Sequence, residues 1–582
     1  MSTRLRDRVA AVRTVGTLAI AVGALAGLIE AMLHAIRFRW ADQFTWTGPD
    51  VIWMAPLSYV AFLGVLAVPV AMVAMLRPQW ATAAVYLGVA TAVASFGLLR
   101  VASAQRLHVA AMAAVAVGVG TQLGRWAYQR SSRVGPMAVR LAAGTAAFVA
   151  VVAALAMGWP RWRELAAIRA LPPAPPAAPN VLLLVLDTVR GESLSLYGYG
   201  RPTSPELDRF AAKGTRFEWA ISASPWTLPS HASLFTGQPP WQTRASFRSR
   251  LDDRFETVAE RFRARGYLTG GFVANTIYAN VETGLSRGFI RYQDYRRSLR
   301  QILLSSEIGQ LVSSQRSRMA FRAAHRPSAA VINERFREWL GQSERTGRPF
   351  FAFLNYMEAH LPYQTPEEWV ERFRAGHPEV DRYDAAVSFL DEQIGRLLRE
   401  LASSGVLENT IVVITSDHGE HLGDHGMSDH ANSLYLQLLR VPLLVVHPRS
   451  VPAGKVVAEP VGLIDLMPTL ATMAGIGGAD SARSWSRYWQ SEGPTTDSAL
   501  IVSQVDQHPL QRSWDRNAKG PLWGILGQGL HLIENPDRSV ELYDYSRDPE
   551  ERMSRHADPA VASRLTDLRA VLDRTRLDGG RQ

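Results

Sequence analysis

Five apolar runs crowd the first 160 residues, at roughly 14–36, 51–76, 80–99, 107–128 and 135–159. An α-helix rises about 1.5 Å per residue, so about 20 apolar residues cover the roughly 30 Å hydrocarbon core of a bilayer. Each run meets that length, and a chain with five of them does not fold as one water-soluble globule. The first is too long for a cleavable signal, and four more follow it. The reading is a five-helix transmembrane bundle over residues 1–160. With the N-terminus inside, the inner side holds Arg4, Arg6, Arg8, Arg13, Arg77, Arg125, Arg130, Arg133 and Arg140, against Arg37, Arg39, Arg100 and Arg106 outside. Five crossings then place the rest of the chain on the extracytoplasmic face of the cytoplasmic (inner) membrane. Trp40, Trp46, Trp53, Trp80 and Trp159 lie near run ends, as an interfacial aromatic belt requires. Glu30 and His34 share one helix face in the first run. Intramembrane ionisable groups are functional by default, and mutual pairing near the outer interface is the plainer account of these two.

The net charge of +10 is unevenly placed. Residues 1–178 hold 16 Arg and 5 acidic residues, whereas the remainder holds 47 basic and 48 acidic residues. The basic excess therefore belongs to membrane topology, and no nucleic-acid partner is expected. The absence of Cys excludes a disulfide framework, a thiolate metal site and a Cys nucleophile. The Pro-rich stretch LPPAPPAAP in residues 161–178 reads as a stiff, extended linker.

From residue 179 the pattern changes. NVLLLVLD at 180–187 is a continuous apolar run ending in Asp, typical of a strand buried on both faces. The form recurs at 350–354, 410–415 and 441–446, with amphipathic helical stretches between, such as 330–340 and 384–402. The alternation predicts an α/β fold with a mostly parallel central sheet. Such sheets bind ligands beyond the carboxyl ends of their strands. Asp187, Glu358 and Asp417 each stand just after a strand-like run, so they converge on one site.

Asp187 with Asp417 and His418 supplies two hard oxygens and an imidazole, a set that suits one divalent metal ion such as Zn²⁺, Mn²⁺, Mg²⁺ or Ca²⁺. Thr227, in SPWTLPSHASLFTG, is a candidate to complete it, since a metal-bound hydroxyl is acidified and becomes a usable nucleophile. Leu228 and Pro229 follow it, then an expected helix start with Ser230 near the cap, and a helix N-terminus favours an anionic substrate.

The ordered segments NVLLLVLDTVRGESLSLYGYG, TLPSHASLFTG, FFAFLNYMEAHLPY, SDHGEHLGDHG and ELYDYSRDPEER resemble the sulfatase branch of the alkaline phosphatase superfamily, from Asn180 to about Arg552. The resemblance implies an α/β sandwich catalytic domain over 179–480 and a C-terminal subdomain over 481–582 that completes it. It implies Asp187, Asp417 and His418 as metal ligands together with Thr227, which is also the nucleophile. It implies His360 and His430 as residues that contact the transferring group or protonate the leaving oxygen. A second metal using His360 or His430 is compatible with the set and not required by it. Two further positions depart from sulfatases, with His231 where the motif has Arg and Thr188 where a second Asp is usual. Sulfatases oxidise Cys or Ser at the Thr227 position to formylglycine, and oxidised Thr would be a ketone, so no formylglycine is expected. A Thr nucleophile instead resembles the phosphoryl-transferring members, among them phosphoethanolamine transferases and lipoteichoic acid synthases. The expected activity is hydrolysis or transfer of a phosphate (or sulfate) ester group at the outer face of the membrane. The substrate would be a phospho- or sulfo-ester, a lipid or cell-envelope glycan among the possibilities. The alternatives are a sulfuric ester hydrolase acting without formylglycine, and an inactive sulfatase-like sensor or transport-associated membrane protein. Arg-rich stretches at 240–250 and 295–325 are either clamps for a large polyanion or solvated basic faces.

Overall fold

The N-terminal apolar runs form five long helices: α1 (Thr3–Ala41), α2 (Val51–Leu76), α3 (Thr82–Ala102), α4 (Val109–Gln129) and α5 (Ser131–Arg169). Among the described residues, α1, α2, α3 and α5 are long and apolar enough to cross a membrane. The fourth expected span, α4, has the length but not the composition, because Gly118, Gly120, Thr121, Gln122, Gly124 and Arg125 dilute its apolar residues. Close packing follows from small residues. A Cβ on Gly27 of α1 would lie 2.2 Å from the backbone nitrogen of Pro56 in α2, so only glycine lets these two backbones approach so nearly.

The computed structural model describes the chain except for residues 1–2, 42–43, 45–47, 49, 78–81, 104–105, 295–296, 314–325, 479, 491–499, 509–514 and 581–582. Trp46 and Trp80, the side chain of Arg4 and much of the 295–325 stretch therefore lie outside the described residues. The chain forms two units, residues 1–166 with 296–324, and residues 167–295 with 325–582.

The second unit is built on an eight-stranded sheet. Its strands are β1 (Asn180–Leu186), β2 (Thr215–Phe217), β3 (Leu268–Val273), β4 (Arg291–Gln293), β5 (Phe350–Tyr356), β6 (Thr410–Thr415), β7 (Leu443–Val446) and β8 (Lys455–Val457). The order is β8-β2-β7-β6-β1-β5-β3-β4. Strands β6, β1, β5, β3 and β4 run parallel. β1, β3, β5 and β6 are buried almost throughout, which is why β1, β5 and β6 read as apolar runs, whereas Gly270 and Gly271 interrupt the run in β3. The run at 441–446 departs from expectation: it is shortened to β7 and lies antiparallel to both β6 and β2. An apolar run reports burial and not direction. The amphipathic stretches become helices Ala329–Glu344 and Pro378–Ser403. The latter sends Tyr383, Ala386, Leu390, Ile394 and Leu397 into the sheet's core with the helical period.

A second, four-stranded antiparallel sheet follows, of β9 (Ile501–Val505), β10 (Leu522–Gly527), β11 (Leu530–Glu534) and β12 (Val540–Tyr543). Leu568 and Leu572 of the terminal helix Ala562–Gly580 pack on it. The Pro-rich segment differs from a free spacer. Its first nine residues continue α5 to Arg169, since RWRELAAIR is rich in good helix formers. Beyond them Leu171 is buried, Arg348 donates to the carbonyls of Leu171 and Pro172 at 3.2 and 2.6 Å, and Asn409 donates to Ala178 at 3.3 Å.

Candidate active site

The carboxyl ends of four adjacent parallel strands supply the site. Asp187 follows β1, Asn275 follows β3, the 357–360 turn follows β5, and Asp417-His418 follows β6. Thr227 opens the helix Thr227–Thr236, whose start is three residues earlier than expected. Ser230 therefore lies inside the helix, where its hydroxyl donates to the carbonyl of Asp417 at 2.7 Å. That bond ties the helix N-terminus to the strand β6 loop. Gly419 makes the loop possible, because a Cβ there would lie 2.0 Å from the carbonyl oxygen of Gln437.

The four expected ligands meet. Asp187, Asp417 and His418 each offer a donor atom within 4.8 Å of one another, all fully buried. Thr227 Oγ1 lies 3.3 Å from His418 Nε2. His418 Nδ1 donates to the carbonyl of Gly419 at 2.9 Å, so the lone pair is on Nε2, facing Thr227. Two carboxylate oxygens, Asp187 Oδ1 and Asp417 Oδ2, are buried with no hydrogen-bond partner. A buried carboxylate oxygen without a donor is costly. The donor set of two carboxylates, an imidazole nitrogen and a hydroxyl fits a divalent cation, and a cation would satisfy both orphaned oxygens.

The electrostatics agree. Burial and the neighbouring charge of Asp187 push the Asp417 carboxyl well above its ordinary value. Asp187 is held below its ordinary value: burial opposes ionisation, but His360, His418 and the Asn275 hydrogen bond outweigh it. Without a cation, one of two carboxyls this close keeps its proton. Burial lowers His418 to about 3 and His360 to about 4, so both are neutral at pH 7.

His430 is the opposite case. Its Nδ1 lies 3.1 Å from Glu420 Oε1 and 2.9 Å from Asp429 Oδ1. Burial disfavours its charge, yet the two carboxylates hold it well above the ordinary histidine value. Its ring centroid is 4.6 Å from that of His418 and 5.0 Å from that of His360. All six expected residues are thus gathered at one end of the sheet. Glu358 is not among the chemical groups, because it accepts from the amides of Ala329 and Met357 and so caps the Ala329–Glu344 helix. Arg326 donates to the carbonyls of His360 and Leu361 at 2.9 and 3.3 Å, fixing that turn.

The departures have structural counterparts. Thr188 sits at φ 61°, unfavourable for a β-branched residue, with its hydroxyl donating to the carbonyl of Asp187 at 2.7 Å. Its amide thereby donates to Asp417 Oδ1 at 3.3 Å. Thr188 orients a carboxylate and supplies no carboxylate itself. His231 donates from Nδ1 to the carbonyl of Thr227 at 2.9 Å, and that atom lies 3.5 Å from Asp417 Oδ2. Of the Arg-rich stretch at 240–250, Arg250 pairs with Asp253 at 3.1 Å and Arg244 with Asp252 at 3.9 Å, as on a solvated face.

Asn275 was missed by sequence reasoning. Its side-chain amide donates to Asp187 Oδ2 at 2.8 Å and reaches Thr227 Oγ1 at 3.5 Å. The available signal was its position two residues past LTGGFV, a strand disguised by two glycines. Replacing Asn275 by Ala removes a hydrogen bond to a charged group, worth about 1.5–3 kcal/mol. At roughly tenfold per 1.4 kcal/mol, kcat should fall about 10- to 100-fold, measured by steady-state kinetics on the folded variant.

Comparison with known proteins bears on the family and the fold. The sulfatase family model matches residues 179–476, more than half of the chain. A sulfatase of Formosa agariphila is 24% identical over 465 residues, covering 68% of this chain and 87% of its own. An arylsulfatase of Clostridium perfringens is 26% identical over 374 residues, covering 53% and 77%. The phosphonate monoester hydrolase of Agrobacterium radiobacter superposes with a TM-score of 0.54 at 21% identity, over 69% of this chain and 96% of that one, which shows a shared fold. The chain is a hydrolase of the alkaline phosphatase superfamily, and within it belongs to the sulfatase family.

Proposed function

We propose that the protein is a membrane-anchored, metal-dependent phosphoester hydrolase or transferase with Thr227 as its nucleophile. The observation that carries this reading is the Thr227 hydroxyl, set at a helix N-terminus 3.3 Å from the unprotonated Nε2 of His418 and beside two carboxylates. Asp187, Asp417, His418 and Thr227 would hold one divalent cation. When bound, the cation lowers the pKa of a coordinated hydroxyl and offsets developing negative charge. Asn275 positions Thr227 against Asp187. The Thr227 hydroxyl, made more acidic by the cation it would bind, would give its proton to solvent, and its oxygen attacks phosphorus in line as the bond to the leaving oxygen breaks, giving a phosphothreonine. The leaving oxygen takes its proton from His430, which Glu420 and Asp429 keep charged. Water or an acceptor hydroxyl, giving its proton to the now neutral His430, then attacks phosphorus as the bond to the Thr227 oxygen breaks, and Thr227 regains a proton from solvent. Neutral His360 serves as a hydrogen-bond partner for the transferring group.

A second reading, hydrolysis of a sulfate ester without formylglycine, is favoured by the family match and by the sulfatases among the relatives. An inactive sensor would have no need to retain the complete ligand set. An aryl phosphodiester and an aryl sulfate with the same leaving group, assayed with added cation, separate the first two readings. The expected kcat/KM is higher for the phosphodiester. A preference for the sulfate would replace the first reading with the second. Substituting His430 by Gln should slow an alkyl ester far more than a nitrophenyl ester, because only the alkoxide needs a proton to leave. Equal losses on both esters would remove His430 from the acid role.

The apolar helices make a lipid or cell-envelope glycan the natural substrate class, with the catalytic unit outside if α4 also crosses. At 21 residues α4 spans about 31 Å, enough for the hydrocarbon core. The chain has no Cys, so an Arg547→Cys variant carries a single thiol. A membrane-impermeant maleimide should label it in intact spheroplasts. Labelling only after lysis would mean that an even number of helices cross.

A further inference from the structure

The segment between β4 and the Ala329–Glu344 helix leaves the catalytic unit and belongs to the helical one. It forms two short helices, Leu299–Leu304 and Glu307–Val312, whose polar groups are answered by the long helices. The Glu30 carboxylate, wholly buried in α1, accepts the Glu307 backbone amide at 2.7 Å and the Tyr59 hydroxyl at 2.6 Å. The Glu307 carboxylate takes the Arg100 guanidinium of α3 at 2.7 Å. Ser58 of α2 donates to the Leu303 carbonyl at 2.7 Å and meets Ser306 at 2.7 Å. Arg297 reaches Asp50 at 2.7 Å, and Ile308 is buried with Ala26, Tyr59 and Ala94.

Glu30 therefore does more than pair with His34, whose Nε2 is 3.6 Å away. A buried acidic side chain in an apolar helix is expensive and persists where its oxygens are used. Here it caps an orphan N–H, that of Glu307, at the start of a helix supplied from 277 residues further along the chain. Helices of six residues are marginal alone in water, so these two depend on the surface they are docked against.

We infer that residues 297–313 are a second attachment of the catalytic unit to the membrane, docked on α1, α2 and α3 through Glu30, Ser58 and Arg100. The α5 connection is then not the sole tether. The inference rests on the membrane reading of the helical unit, and two readouts keep the two separable. A protease recognition sequence inserted between Pro176 and Ala177, which are exposed, divides the chain into fragments that share no covalent bond. In a Ser58→Cys/Ser306→Cys protein the only two thiols replace hydroxyls 2.7 Å apart. After oxidation and cleavage, the two fragments should run as one species on a non-reducing gel and as two on a reducing gel. A Ser58→Cys/Leu299→Cys control, with Leu299 exposed, should run as two on both. Separate fragments from the Ser58/Ser306 pair, or an equal yield from the control, would overturn the docking. In cysteine-free protein, the cleaved catalytic fragment should sediment with membranes, and a Glu30→Ala/Arg100→Ala background should release it. Release from the parent background would overturn the second attachment. Uncleaved protein found in the supernatant would overturn the membrane reading instead.

Discussion

Replacing Thr227 by Ala should abolish turnover, with a loss on the order of 10³- to 10⁶-fold, while the protein folds normally. The side chain removed is small, its helix position is the first turn, and Ala is a good helix former, so the fold has little to lose. The chemistry loses its attacking atom. Thr227→Ser keeps a hydroxyl on the same backbone and should retain activity within about tenfold, because only a methyl group is removed. The pair distinguishes a nucleophile from a packing residue, since a packing role would make the two variants similar. Steady-state kinetics together with thermal unfolding of each variant provide the check.

The second large effect concerns the cation and Asp417. With a chelator present, the two buried carboxyls of Asp187 and Asp417 oppose each other. Asp417 has a folded pKa raised above its unfolded value of about 3.9. Its contribution to stability is therefore fully present below that value and is lost as pH rises through the folded pKa. His418 and His360 act oppositely. Their folded values, about 3 and about 4, lie below the unfolded value of about 6.5. Their contribution is present above the unfolded value and lost as pH falls through the folded ones. A single melting curve mixes these trends, whereas comparison of the parent with Asp417→Asn isolates the carboxylate. Under chelation, the Asn variant should gain melting temperature relative to the parent as pH rises from 5 to 8. With cation at 100 times its Kd, the parent should gain about 2.7 kcal/mol and the order should reverse. Activity should require the cation and be lost in Asp417→Asn. A parent unaffected by cation, or a variant that never overtakes it under chelation, would remove the cation from this site.

The parallel strands that build the site were legible because burial on both faces leaves continuous apolar runs, as in β1 and β6. Their ends, Asp187 and Asp417-His418, were legible for the same reason: a polar residue abruptly following such a run has few places to go but the sheet's rim. Strand β3 was hidden by Gly270 and Gly271, which sit under Trp339 and Tyr292 and leave the run without the usual bulk. Asn275 was hidden with it. The direction of β7 was not legible, since antiparallel and parallel partners bury the same residues. The histidines at 360 and 430 carry no local pattern, and in the sequence they were marked by the family resemblance alone. The docking of residues 297–313 was equally hidden, because the polar groups that answer Glu30 come from a segment remote in sequence.

The most direct test of the nucleophile is mass spectrometry of the Thr227 peptide, from protein mixed with an aryl phosphodiester and cation and quenched within the first turnovers. A phosphoryl-sized adduct should appear on Thr227, absent before mixing and absent from Thr227→Ala. Turnover with an unmodified Thr227 peptide, or with the adduct on another residue, would contradict the account.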